Sequence, residues 1–271
     1  MMGSKLATIL LIFVPIIRVK SQAVVIPVSY SNSGSPYQQN FDGLPNTGTF
    51  TLIGKGPFNL SGGPFNAINL SGWQIFMTGG TNSNAQFAVG AGTSTGNAVY
   101  SLGSAGNTER ALGSLSSSSG IYTMGLILTN NTGSLLNNFT ISFAAEQWRK
   151  GGSGIKNTWP FHYKTGMITN LDQTDLKDDS SLNFSSTMNS FSGSSLNGNM
   201  TENRQTISRT ITGFQWKFGE QLLLRWDDAD EAGSDDVVGI DNFTFSATLL
   251  SSVPKILSTD YHTVSSNSAI V

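Results

Sequence analysis

The chain has 271 residues, enough for one large domain or two small ones, and only 12% of them are charged, against roughly a quarter in a typical globular protein. There is no cysteine, which excludes disulfides, thiol catalysis and zinc thiolate sites. The net charge is −2 without a basic stripe, which argues against nucleic acid as a partner. The 30 glycines, with abundant Ser, Thr and Asn, favour strands and turns over helices.

The N-terminus has the features of a secretory leader. A basic residue precedes an apolar run from Leu6 to Ile17, and Ser21 and Ala23 are small residues of the kind found at a signal-peptidase site. The run is shorter than the 18 or more residues typical of a membrane span. The sequence therefore predicts a signal peptide at residues 1–23 and a secreted protein. An uncleaved anchor is the alternative, because two basic residues lie between the run and the cleavage site.

Short apolar or alternating runs recur between clusters of Gly, Asn and Ser, as in a β-sandwich or barrel. No window has a clean helical stripe, and parallel strands need long crossover connections, so we expect antiparallel pairing. The predicted fold is an all-β, antiparallel two-sheet sandwich in one domain at 24–249, followed by a loosely ordered tail at 250–271. Gly54–Ser71 and Asn170–Asn203 are predicted to be irregular. The predicted strands are Thr49–Ile53, Trp73–Thr78, Ala85–Val89, Ala98–Leu102, Ile121–Thr129, Asn138–Trp148, Trp159–Lys164, Gln205–Thr212, Gln221–Asp227 and Val237–Thr248.

The most unusual local feature is the acidic segment WDDADEAGSDDVVGIDNF at residues 226–243. Its acids would repel one another unless they are solvated or neutralised by a cation. An EF-hand is excluded by spacing, since a loop that starts at Asp228 has Gly239 at position 12, where a Glu is needed. The acids are Asp227, Asp228, Asp230, Glu231, Asp235, Asp236 and Asp241.

Four phrases occur in consistent order across most of the chain: QNFDGLPNTGT (39–49), RALGSLSSSS (110–119), NNTGSLLNNFTISFAAEQWR (130–149) and LLLRWDDADEAGSDDVVGIDNF (222–243). Together they resemble a module of secreted bacterial surface and extracellular proteins that has no assigned enzymatic activity. The resemblance implies a jelly roll similar to concanavalin, galactose-binding domains or carbohydrate-binding modules. Longer relatives often carry a cell-surface sorting segment, which this sequence does not show, so the resemblance leaves surface attachment undecided.

The resemblance also implies a structural calcium ion. Many jelly-roll binding modules hold calcium where their first and last strands pair, through an acid in an early Phe-acid pair and an acid in a final Ile-Asp strand. Phe41-Asp42 and Ile240-Asp241 fit that pattern. The predicted calcium ligands are therefore Asp42 and Asp241. The alternative is a set of solvated acids that close a loop.

A candidate ligand face centres on EQWR at the end of a long predicted strand, where alternation places Glu146 and Trp148 on one face. If the two strands are neighbours, Glu146 would pair with Arg225. One interpretation is a partly buried structural ion pair. The other is a binding platform for a glycan or cell-surface polymer, with Trp159 and Tyr163 as further aromatic contacts.

Catalytic patterns are weak. GTSTG at residues 92–96 matches a nucleophile elbow at Ser94, but the following residues predict a strand where the elbow needs a helix. A concanavalin-type glycosidase carries two Glu flanking an Asp on one strand, and no such arrangement is present. The predicted function is a secreted, non-catalytic binding or adhesion module. The alternatives are a secreted glycan-active enzyme and a structural exported protein with no small ligand.

Overall fold

The computed structural model describes residues 18–20, 25–65 and 67–250, and this part of the chain consists of nineteen strands, three short 3₁₀ turns and connecting loops. The strands are β1 Arg18–Lys20, β2 Val28–Tyr30, β3 Tyr37–Gln39, β4 Thr49–Ile53, β5 Phe58–Asn59, β6 Trp73–Gly79, β7 Gln86–Gly90, β8 Ala98–Leu102, β9 Ala111–Leu115, β10 Ile121–Asn130, β11 Leu136–Lys150, β12 Thr158–Trp159, β13 Phe161–Gly166, β14 Lys177–Asp178, β15 Phe184–Ser185, β16 Ser194–Ser195, β17 Arg204–Trp216, β18 Gln221–Asp228 and β19 Val237–Thr248. The 3₁₀ turns are Ile68–Leu70, Ser180–Leu182 and Thr201–Asn203.

Apart from 18–20 and Leu250, the predicted leader (1–23) and tail (250–271) lie outside the described residues. Residues 18–20 form β1, which pairs in parallel with β4. In the described ranges, none of the helical segments has the length and apolar character needed to traverse a bilayer.

Two large sheets and one short ribbon make up the fold. The first sheet has the order β1-β4-β7-β8-β9-β19-β11-β16, with β17 also paired to β11 and β3 to β19. The second sheet has the order β14-β13-β18-β10-β6-β5, with β2 beside β10, and the ribbon is β12-β15. The predicted all-β, two-sheet sandwich is thereby confirmed.

Most neighbouring strands are antiparallel, but β1–β4, β2–β10 and β7–β8 are parallel. The expectation of antiparallel pairing fails for β7–β8 because the loop at residues 91–97 connects them without a helix. This loop packs so closely on β11 that a Cβ on Gly92, which has φ 74°, would lie 1.8 Å from the Trp148 carbonyl oxygen. Ser94 lies in this loop, and the strand that follows it does not form a nucleophile elbow.

Each predicted strand is present, but further strands form outside the predictions, and β5, β14, β15 and β16 lie within the two segments predicted to be irregular. Two differences are informative. The predicted strand Trp159–Lys164 is divided into β12 and β13 at Pro160, because proline has no N–H to donate to a ladder. The sequence analysis does not predict β9, whose residues ALGSL include no β-branched or aromatic side chain. Its neighbours supply the stabilisation instead, since β9 pairs with both β8 and β19.

The main core lies between the two sheets. Alternate residues of β11, including Phe139 and Phe143, face the core, as do alternate residues of β18, including Leu224 and Trp226. The ring centroids of Trp226 and Phe143 are 5.3 Å apart, so the two sheets interdigitate through aromatic side chains. Trp216, whose period-two aromatic context indicates a core position, is fully buried.

A second apolar cluster covers the opposite face of the first sheet and positions the candidate site. It contains Trp148 of β11, Val237 of β19 and Leu115 of β9. The last part of the segment predicted to be irregular covers this face: β16 pairs with the end of β11, and the Leu196 N–H donates to the Trp148 carbonyl at 2.8 Å. We call this side of the first sheet the covered face.

Candidate metal centre

Three carboxylates converge on the covered face. Glu146 lies on β11, Asp241 lies on β19, and Glu109 lies two residues before β9. The strands are neighbours in the order β9-β19-β11. One carboxylate oxygen from each residue lies within 4.8 Å of the other two. We call these three residues the acid triad.

A β-bulge in β19 places Asp241 in the triad. The register between β11 and β19 shifts there, and Asn242 adopts a left-handed φ of 49°. As a result, Ile240 and Phe243 both enter the main core although they are three positions apart. Asp241 is left on the other side of the sheet, which is how a bulge redirects a side chain.

Each acid of the triad has one satisfied and one unsatisfied oxygen. The Trp148 Nε1–H donates to Glu146 Oε2 at 3.0 Å, and the Asn242 amide donates to Asp241 Oδ2 at 2.7 Å. The Asn199 amide donates to Glu109 Oε2. The remaining oxygens, Glu109 Oε1, Glu146 Oε1 and Asp241 Oδ1, are buried and have no hydrogen-bond partner. A buried acceptor without a hydrogen bond costs about 1 to 3 kcal/mol in stability. Three such oxygens close together therefore need a proton or a cation between them.

The electrostatics of the triad also require a proton or a cation. Burial, reinforced by the charge of Asp241, raises the pKa of Glu146 to about 8. Burial, with added repulsion from Glu109 and Asp42, raises the pKa of Asp241 to about 7. The guanidinium of Arg204 makes a long ion pair with Glu146, Nη1 to Oε1 at 3.9 Å, which is too far for a hydrogen bond.

The donor set suits a hard cation. It contains oxygen only, the ligand type preferred by calcium, magnesium and manganese. Calcium binds oxygens at 2.3 to 2.6 Å, so two of its ligands are at most about 5 Å apart. The 4.8 Å limit of the triad meets that condition. A calcium ion bound here would have Glu109, Glu146 and Asp241 as ligands.

Of the two predicted calcium ligands, only Asp241 belongs to this group. Asp42 is exposed, and both of its oxygens are occupied: Oδ1 accepts the Arg110 N–H at 3.1 Å and Oδ2 accepts the Asn40 amide at 2.6 Å. Asp42 therefore fixes the backbone next to Glu109. The sequence analysis missed Glu109 as a member of this group, and the signal for it is an acid directly before the RALGSL phrase.

The predicted aromatic platform needs correction because its rings are buried. Trp148 is covered by the segment that contains Gly198, whose added Cβ would lie 2.2 Å from Trp148 Nε1. Trp159 is fully buried, with its ring centroid 4.9 Å from that of Phe184. Tyr163 belongs to the main core. None of the three presents an open aromatic face to solvent.

The predicted pairing of Glu146 with Arg225 does not form, because the two residues lie on different sheets. Arg225 instead makes a bidentate pair with Asp227, with Nε–Oδ1 at 2.6 Å and Nη2–Oδ2 at 3.0 Å. His162 Nε2 lies 3.3 Å from the same Asp227 carboxylate. Alternation along β18 puts Arg225 on the face opposite the core residue Trp226, but alternation alone does not show which strands neighbour β18.

The acid triad is too enclosed to act on a glycan. Retaining glycosidases place two carboxyl groups about 5 Å apart around the scissile bond, a spacing similar to that of the triad. However, the Glu146 side chain has 0% exposure and Asp241 is 3% exposed. A bound ion fits this enclosure, whereas a polymeric substrate does not.

Gly198→Ala tests whether the covering segment is closely fitted to Trp148. The added methyl would overlap Trp148 Nε1, so we expect a loss of about 1 to 3 kcal/mol in the free energy of unfolding. Denaturant titration measures the loss. Gly90→Ala is the matched control, because its Cβ would lie 3.4 Å from the nearest atom. Equal stability of the two variants would show that the covering segment is not fitted to Trp148.

No protein-family model matches the chain, and no curated protein matches it. Among solved structures, the chain is similar to the CBM22-1 xylan-binding domain of Xyn10C from Paenibacillus barcinonensis, with 8% identity, a TM-score of 0.33, and coverage of 82% of this chain and 99% of that one. It is also similar to the xylan-binding module CBM15, with 11% identity, a TM-score of 0.34, and coverage of 67% and 94%. The K3 adhesin domain of Lys-gingipain from Porphyromonas gingivalis has 10% identity, a TM-score of 0.35, and coverage of 73% and 98%. At TM-scores below 0.5, these likenesses do not bear on ligand or mechanism.

Proposed function

We propose that this protein is a secreted, non-catalytic binding or adhesion module for carbohydrate, with a structural calcium ion bound by the acid triad. The observation that carries the calcium assignment is the set of three converging, buried carboxylate oxygens that accept no hydrogen bond. The ion would neutralise the triad and link β19, β11 and the start of β9.

Other features support the binding role. The predicted leader at 1–23 suits an exported protein, and the resemblance to modules of exported surface proteins suits an extracellular ligand. The low charge and the absence of a basic stripe favour a neutral, hydroxyl-rich ligand over a polyanion. The acid triad is enclosed by protein, which suits a role in stabilising the fold rather than in cleaving a polymer.

Calcium titration tests the ion assignment. We expect chelator-stripped protein to bind one calcium ion per chain, and Asp241→Asn to weaken the affinity at least about tenfold because a charged ligand is lost. Isothermal titration calorimetry measures both. Asp172→Asn is the control, since Asp172 is exposed and lies outside the triad. Absence of heat with the wild-type protein would refute the calcium site.

A glycan array tests the binding role, followed by incubation of each bound glycan with the protein and analysis of the products. We expect binding without cleavage. Cleavage would support the glycan-active enzyme instead, and silence across the array would support a structural protein with no small ligand.

A further inference from the structure

A second group of acids flanks a cavity at one end of the covered face. The cavity has a volume of about 210 Å³. It lies between the acidic loop that joins β18 to β19, the end of β11 and the residues that follow β9. Most of the residues that line it carry polar side chains, and those that bear on the argument are Thr95, Ser116, Ser117, Arg149, Asp230 and Asp235.

The charged groups of this cavity are not engaged with one another. Among the described residues, Arg149 forms no ion pair, and its guanidinium makes one long hydrogen bond, Nη1 to the Gly92 carbonyl at 3.5 Å. Asp235 is 7% exposed; its Oδ2 accepts the Glu231 N–H at 3.3 Å, and its Oδ1 has no hydrogen-bond partner. Asp230 is exposed at the rim. Both a strong donor and strong acceptors are thus available to a ligand.

The balance of charge restricts the kind of ligand. Of the two acids that line the cavity, Asp230 is exposed and Asp235 is buried. Burial, with added repulsion from Glu231 and Asp228, raises the pKa of Asp235 to about 8, so its carboxyl group holds a proton at neutral pH. An anion would be repelled by the Asp230 carboxylate, and a bare cation would be repelled by the guanidinium of Arg149. Neutral hydroxyl groups can pair with both Arg149 and Asp230, because each hydroxyl both donates and accepts a hydrogen bond.

We propose that this cavity binds one ring of a neutral glycan, with Arg149 donating to ring hydroxyls and with Asp230 and Asp235 accepting from them. The inference rests on the proposed carbohydrate-binding function and assigns its contact site. The volume of about 210 Å³ lies below the range of roughly 300 to 1,000 Å³ typical of pockets for drug-sized ligands. A single ring or chain end therefore fits better than a long polymer. Thr95 and the partly exposed Ser117 add hydroxyl groups to the lining, whereas the Ser116 hydroxyl is buried and already bonded to the Asp228 carbonyl and the Tyr122 N–H.

Ligand-observed NMR titration with the calcium-loaded chain tests the site. The probes are the methyl glycosides of glucose, galactose, xylose, mannose and arabinose, with glycine as a zwitterionic comparison. We expect at least one glycoside to bind, and Arg149→Met and Asp230→Asn each to weaken its binding about tenfold, the effect of one lost charge-assisted hydrogen bond. The controls are Arg209→Met and Asp172→Asn, which remove the same groups from exposed positions outside the cavity.

The possible outcomes distinguish a failure of this cavity site from a failure of the proposed carbohydrate-binding function. Glycoside binding that survives both cavity variants would refute this site and leave the proposed function intact. Binding of glycine alone would identify an amino-acid site and refute the glycan assignment. Silence of every glycoside, together with a silent glycan array, would refute both. Asp230→Asn keeps the test decisive if Arg149→Met does not fold, because Asp230 is exposed.

Discussion

Replacement of Trp226 with Ala is expected to lower the free energy of unfolding by about 3 to 5 kcal/mol. Trp226 is fully buried between the sheets. Its ring centroid lies 5.0 Å from that of Phe161 on its own sheet and 5.3 Å from that of Phe143 on the other. Truncation removes buried apolar surface and leaves a cavity that rigid strands on both sides cannot close.

Equilibrium unfolding in denaturant measures this loss, with Phe191→Ala as the control. Phe191 is 90% exposed, so its truncation is expected to change stability by no more than about 0.5 kcal/mol. A loss below about 1 kcal/mol for Trp226→Ala would contradict the interlocked core. It would show that the two sheets are not held together by this aromatic cluster.

Chelator-stripped protein is expected to lose stability as the pH rises from 5 to 8. Burial raises the pKa of Glu146 and of Asp235 to about 8, and that of Asp228 and of Asp241 to about 7. The unfolded chain releases these protons near pH 4. Between about pH 4 and 8 the folded state holds more protons than the unfolded state, so stability decreases as pH increases and levels off above pH 8.

Thermal melting at pH 5 and pH 8 measures this effect. We expect the melting temperature of stripped protein to be at least about 5 °C lower at pH 8, given that 1 kcal/mol corresponds to roughly 2 to 4 °C for a chain of this size. Calcium should reduce the difference, because it binds the deprotonated triad and its affinity increases with pH.

Glu146→Gln is the informative variant for the pH effect, because the amide has a similar shape and does not titrate. We expect this variant to lose less stability than the wild type between pH 5 and 8, whereas Asp172→Asn, at an exposed position, should behave as the wild type. A melting temperature that rises toward pH 8 without calcium would contradict the assignment of buried, protonated acids.

The main strands could be predicted from the sequence because a two-residue period is a local property. Side chains on one face of β11, β18 and β19 must be apolar to form a core, and that pattern is visible without knowledge of neighbours. The same local information failed where stabilisation is not local. β9 is held by pairing on both edges, and the segment at 194–203 is ordered by packing on the covered face.

The candidate site could likewise be predicted only in part from local sequence. The sequence singled out Asp241 through the resemblance to modules with a final Ile-Asp strand, and Glu146 through its place in EQWR at the end of a predicted strand. It could not identify the third acid, since Glu109 joins them only through the order β9-β19-β11. It also mistook buried tryptophans for a binding platform, because alternation defines a face but not what covers that face.

The sequence by itself determined the strand class, the alternating core positions and the unusual acids, since these follow from residue type and spacing along one chain. The tertiary structure alone decided which acids meet, which aromatic rings are covered and where Arg149 and Asp235 share a cavity. These properties depend on strand order, on the bulge at Asn242 and on the path of covering loops. They are set by contacts between residues far apart in the chain, and such contacts leave no periodic pattern in the sequence.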